Sequence, residues 1–109
     1  MSVIWSEQID SILNCGVSLS CVGVKNWALE RDEAVRAINE LEALGFPVLG
    51  GDVYQLVDEY PEQTYDNWYC DQEPGELDSA FLKRSSEKAR SYIGSYSMSG
   101  ALFSIVPKV

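Results

Sequence analysis

Histidine is absent from the 109 residues. With it go the Ser-His-Asp and Cys-His pairs and every imidazole metal ligand. The three cysteines, Cys15, Cys21 and Cys70, are odd in number and form no CxxC, so a disulfide framework, a zinc ribbon and a thioredoxin-type motif are all excluded. They read as small buried apolar residues or incidental surface thiols. No apolar run approaches the ~20 residues that span a bilayer, and the segment Met1 to Glu7 lacks the basic start of a secretory signal. The chain reads as cytosolic. Carboxylate, Lys and Tyr chemistry is what remains open to an enzyme.

Basic residues are missing from one long stretch. Between Asp52 and Asp78 stand nine carboxylates (Asp52, Asp58, Glu59, Glu62, Asp66, Asp71, Glu73, Glu76, Asp78) and no Lys or Arg. The rest of the chain carries eight acids and eight bases, so the net charge of −9 belongs to this stretch alone. Ordinary surfaces intersperse both signs, and phosphates would be repelled from such a face, which argues against binding DNA or RNA. Tyr54, Tyr60, Tyr65, Trp68 and Tyr69 lie among the acids. Acid alone would suggest a solvating tail. Acid interleaved with large aromatics suggests a folded face that offers steering charge and contact area to a basic partner.

Apolar content of 46% and charged content of 23% are those of a globular protein, and the length fits one domain over residues 1–109. Ile4, Trp5, Ile9, Ile12 and Leu13 recur at helical spacing, with Ser6, Glu7 and Asp10 favouring the helix start and Gly16 its stop. Leu19 to Val24 is either an edge strand or a loop. Ala34, Ala37, Ile38, Leu41 and Leu44 stripe a second helix, capped by Asn26 or Asp32 and ended by Gly45-Phe46-Pro47. Val48 to Val57 reads as a strand interrupted by Gly50-Gly51. A turn segment, Asp58 to Gln63, then leads to a second strand, Thr64 to Cys70. Phe81, Leu82, Ser85, Ala89, Tyr92, Ile93 and Tyr96 supply the inner face of a third helix, and Leu102 to Val106 forms a last strand against the hairpin. The expected fold is α+β: a small, mainly antiparallel sheet, made of a hairpin at about 48–70 and a strand at about 101–107, packed with three helices.

Three sharper chemistries fail on spacing or stay unsupported. A calcium loop counted from Asp71 needs Gly at its sixth position and Glu at its twelfth, where Glu76 and Leu82 stand. Gly50-Gly51-Asp52 lacks the longer glycine pattern, the Lys and the following helix of a phosphate loop. Asp52 and Asp66 would make a proton-sharing dyad only if they met across the hairpin. Tyr54 and Trp68 are each either core or contact residues.

Several blocks, taken in order, resemble the immunity protein 40 family. They are Asn26-Trp27-Ala28, the helix ending at Gly45, Val48-Leu49-Gly50-Gly51-Asp52-Val53-Tyr54, Thr64-Tyr65-Asp66-Asn67-Trp68-Tyr69-Cys70-Asp71, and Arg84-Ser85 with Ala89 and Tyr92-Ile93-x-x-Tyr96. The resemblance runs from about residue 26 to Val109. It implies a bacterial, cytoplasmic, non-enzymatic antitoxin of polymorphic or contact-dependent toxin systems, which binds the C-terminal domain of a cognate toxin and blocks it. It carries over no defined contact set: Gly50, Gly51, Asp52 and Trp68 match its motifs as fold determinants or as contacts.

The acidity fits a nuclease partner, whose basic cleft holds phosphates. On the residue pattern, toxin contact is expected at Asp52, Tyr54, Asp58, Glu59, Asp66, Trp68, Asp71 and Glu73, the carboxylates steering and pairing with bases and the two aromatics adding buried area if they face outward. No catalytic residue, metal, cofactor or membrane partner is expected. A second reading, from a different class, is an acidic adaptor or nucleic-acid mimic that binds a host enzyme; a third is a small carboxylate enzyme.

Overall fold

The computed structural model describes residues 3–109. Met1 and Ser2, which open the segment read above for a secretory signal, lie outside the described residues. Helix α1 (Glu7–Leu13) starts one residue after Ser6, whose Oγ accepts a hydrogen bond from the Ile9 N–H at 3.1 Å. Ile4 and Trp5 stand before the helix and donate their N–H groups to the Asp10 carboxylate at 2.7 and 3.1 Å. The stretch 19–24 resolves mainly to a 3-10 turn, Ser20–Val22, preceded by the two-residue strand β1 (Val17–Ser18).

Strand β2 (Trp27–Glu30), absent from the sequence reading, pairs with β1. It moves the start of helix α2 (Arg31–Ala43) to Glu30, which forms a reciprocal capping box with Glu33. Neither Asn26 nor Asp32 is the cap: the Asn26 amide instead donates to the Ile105 carbonyl at 2.9 Å. The far end of α2 is as expected. Gly45 takes φ +85°, and the N–H groups of Gly45 and Phe46 return to the Glu42 and Leu41 carbonyls at 3.0 and 2.9 Å, a Schellman closure.

Strands β3 (Val48–Val57) and β4 (Tyr60–Tyr69) form the expected hairpin, but its loop is two residues rather than six. Asp58 and Glu59 both have positive φ, 50° and 71°, the geometry whose twist suits a two-residue hairpin turn. Pro61 is therefore a strand residue. β4 is the outer strand of the sheet, and the pair beside a two-residue turn exchanges the hydrogen bonds, so the Pro61 nitrogen, one pair further along, faces away from β3. Helix α3 (Asp78–Ser95) buries Phe81, Ser85, Ser86, Ala89 and Ile93. The last strand is split into β5 (Leu102–Ser104) and β6 (Val106–Pro107).

All pairings are antiparallel, in the order β1-β2-β5-β3-β4, with β6 also on β3. Among the described residues the fold is thus three α-helices and a six-stranded antiparallel sheet, an α+β arrangement. Neighbouring residues divide between the faces. Leu29, Val53 and Phe103 join Ile9, Leu13, Ile38, Leu41, Ala89 and Ile93 in the helix-side core. Ala28, Tyr54 and Leu102 turn to the other face, where Leu19 and Val24 cover them. Arg31 ties the two long helices together by donating to the Ile93 and Met98 carbonyls at 2.5 and 3.1 Å, a cation at the C-terminal end of α3.

Among the glycines, the one with least room for a side chain is Gly51, directly opposite Trp68. A Cβ on Gly51 would overlap both the Ser104 carbonyl oxygen and the Trp68 ring. Trp68 stacks on Tyr92 of α3 (centroids 4.9 Å apart), Tyr92 approaches Tyr96 (5.8 Å), and Tyr96 meets Phe103 edge-on (5.7 Å). Gly51→Ala is expected to lower stability by about 3 kcal/mol through this overlap, whereas Gly94→Ala, in α3 with open space around it, should raise it by about 0.5–1 kcal/mol. Denaturant unfolding of the two variants checks both signs.

Candidate functional site

The acidic stretch folds into two regions of different electrostatic character. The loop after β4 is tied to α3. The Arg84 guanidinium donates to both Glu76 carboxylate oxygens at 2.7 and 2.8 Å, to the Asp71 carbonyl at 2.6 Å and to the Cys70 thiol at 3.2 Å. Lys88 donates to the Tyr69 carbonyl at 2.5 Å, and Lys108 to the Gln72 amide oxygen at 3.2 Å. The Arg84 hydrogen bonds, helped by one from the Glu73 backbone N–H, hold the Glu76 carboxyl down at about 2. The same carboxylate raises the Arg84 pKa. Asp71 and Glu73 are exposed, yet they stand beside this basic anchorage.

The hairpin is different. Asp58 and Glu59 at its tip, and Glu62 and Asp66 on β4, are exposed, and Asp52 on β3 is half-buried. Among the described residues the ion pairs are Arg84–Glu76 and Arg90–Glu42, so no base pairs with these five carboxylates. Asp66 accepts a hydrogen bond from the Tyr96 hydroxyl at 2.5 Å, which raises the Tyr96 pKa. Asp52 does not meet Asp66. Gly51 faces Trp68 on the helix side, so Asp52, next along the strand, turns with its partner Asn67 to the opposite face, whereas Asp66 reaches back to Tyr96, just past the end of α3. The dyad is not formed. Among the described residues no group of three or more Cys, Asp or Glu side chains is placed to hold a metal ion, and no helix is long and apolar enough to cross a membrane.

The two aromatics expected at a contact do not face outward. Tyr54 is 1% exposed and Trp68 5%. Burial, then the nearby Asp52 charge, raises the Tyr54 phenol pKa. Their place as exposed aromatics is taken by three tyrosines of β4: Tyr60 and Tyr69, each 67% exposed, and Tyr65, 85% exposed. The signal that separates Trp68 from its neighbour is the face of the sheet: the register turns Trp68, with Gly51, to the helix layer and Tyr69, opposite Gly50, away from it. That register depends on the length of the turn, which Pro61 disguises.

The sequence matches the immunity protein 40 family over residues 18–107. The chain belongs to this family. Membership implies an antitoxin role and a cognate toxin as partner. For an immunity protein 40 chain the contrast between its two acidic regions is informative: in one, Glu76 is paired with Arg84 and bases are anchored on the backbone beside the other acids, whereas in the other no carboxylate has a paired base. Searches of curated proteins and of solved structures find no match.

Because the Glu76 pKa is depressed, the stabilisation from its pair with Arg84 is fully present above the ordinary carboxylate range, near pH 4.5, and is lost as pH falls through about 2. A carboxyl-detected NMR titration should find Glu76 still ionised at pH 3 in the folded protein. In Arg84→Ala its midpoint should return to the ordinary range.

Proposed function

We propose that this immunity protein 40 chain neutralises its cognate toxin domain by stoichiometric occlusion, binding through the outer edge of the β3–β4 hairpin. The observation that carries the reading is the coincidence, on one hairpin, of four exposed carboxylates without a paired base and three exposed tyrosines. Carboxylates in that state retain their field in solvent and accelerate encounter with a basic surface, while tyrosines supply contact area at low cost in side-chain entropy. A nuclease cleft, built to hold phosphates, is the kind of basic surface such an edge fits.

Asp58, Glu59, Asp66 and Asp52 keep the roles proposed for them from sequence, with Glu62 added to the group. Asp71 and Glu73 are proposed to contribute less, since Arg84 and Lys88 lie beside them. Tyr54 and Trp68 act by holding the hairpin, and Tyr60, Tyr65 and Tyr69 take over contact. The protein works without catalysis, by mass action alone.

Calorimetric titration against the C-terminal toxin domain encoded beside this gene is the test. A tight 1:1 complex that weakens with salt is the expected result; a salt-insensitive complex would move the interface to an apolar surface, and no binding would favour the acidic adaptor reading. In the double variant Asp58→Asn/Glu59→Gln, the on-rate at low salt should fall about tenfold and depend less on ionic strength. Its stability should stay within about 0.5 kcal/mol, as expected for exposed positions. Stopped-flow mixing at two ionic strengths, with a thermal melt, checks both.

A further inference from the structure

A ten-residue outer strand is an open template for pairing with another chain, yet β4 is closed to it. At one end Pro61 has no N–H to give. At the other, Gly50↔Tyr69 alternates with the bonded pair closed by Cys70 N–H to the Leu49 carbonyl at 2.9 Å, so the Tyr69 backbone points outward. Its carbonyl is already taken by Lys88. Between them the register jumps from Tyr54↔Gln63 to Asp52↔Asn67. Thr64, Tyr65 and Asp66 together therefore stand opposite Val53 alone, and the strand is broken by a bulge. A partner on this edge must engage side chains.

The residue at the summit of the bulge is Tyr65. Its φ is +72°, a region that a bulky aromatic side chain occupies only under strain. It is also the most exposed large hydrophobic among the described residues. Protection of the edge alone would be met without strain by Gly or Asn at this position, so the ring itself is what the position requires.

The loop that carries it is held on both sides. The Thr64 hydroxyl donates to the Val53 carbonyl at 3.1 Å and accepts from the Asp66 N–H at 3.2 Å, and Asp66 is fixed in turn by Tyr96. The ring thus projects from a pre-set base, which keeps the entropic cost of docking low.

Resting on the antitoxin reading above, we propose that Tyr65 is the anchor of the interface, received by a basic pocket of the cognate toxin domain whose Arg or Lys side chains lie against the ring face and pair with the carboxylates of the same strand. Cations favour the electron-rich face of a phenol ring, and Glu62 and Asp66 supply the matching charge. A second copy of this chain does not fit, because two such edges would bring Asp58, Glu59, Glu62 and Asp66 against their own duplicates.

The experiment compares wild type, Tyr65→Gly and Tyr65→Phe for binding to the toxin domain by surface plasmon resonance, and for thermal stability. Tyr65→Gly should melt no lower than wild type, since strain is relieved, yet bind about thirtyfold or more weakly, chiefly through faster dissociation. Tyr65→Phe, which keeps the ring, should bind within about fivefold of wild type. Tyr65→Gly binding within about threefold of wild type would overturn the anchor and leave the antitoxin reading standing. A melting temperature lowered by more than a few degrees would make the ring part of the fold and overturn it as well. Absence of wild-type binding would take down both.

Discussion

The seat of Trp68 on Gly51 is the contact on which the acidic edge depends. β4 has one strand neighbour, β3, so its position relative to the helices is set by what its side chains reach. Trp68 reaches the helix layer through Tyr92, and the aromatic column continues through Tyr96 to Phe103 in the centre of the sheet. The absence of a side chain at residue 51 lets the indole lie against the strand. An apolar packing event therefore fixes where a set of charges stands. Tyr96 serves both ends, packing in the column and bonding Asp66 with its hydroxyl.

Charge that is contiguous in sequence is partitioned in space. α3 runs back past the end of β4 and lays Arg84 and Lys88 over residues 69–76. There the carboxylates and carbonyls serve local structure, and the depressed Glu76 pKa is the mark of that service. Lys88 touches the hairpin only at its last residue, Tyr69, and the hairpin carboxylates, which pair with no base, keep their field. Surface ion pairs contribute little to stability, so the arrangement matters more for what it leaves unneutralised than for what it holds together.

Much of this was legible in the sequence. Periodicity located the three helices, Gly45-Phe46-Pro47 marked a helix end, and the family blocks placed the class. The misses share a cause, since each depends on partners distant in the chain. Trp27 to Glu30 is too short to show alternation and is a strand because β5 lies beside it. Pro61 reads as a turn until β4 is known to be an edge. Trp68 and Tyr69 are adjacent, equally aromatic and each opposite a glycine; which of them is core is decided by the face that meets Tyr92 of α3. The base that answers both Glu76 and the Asp71 carbonyl, Arg84, lies on a later helix, so a run without Lys or Arg reads as uncompensated throughout.

The strand β5 sits between β2 and β3, joining Leu29 and Val53 through Phe103. A ribosome delivers this piece after every other strand but β6. Until residues 102–104 emerge, the N-terminal strands and the hairpin have no shared neighbour, and the closure they await spans most of the chain, the kind of pairing that slows folding. The central sheet therefore cannot close in any stretch of the chain that lacks residues 102–104. A polypeptide cut off before that point would carry the acidic hairpin with no central strand to dock it against the N-terminal half.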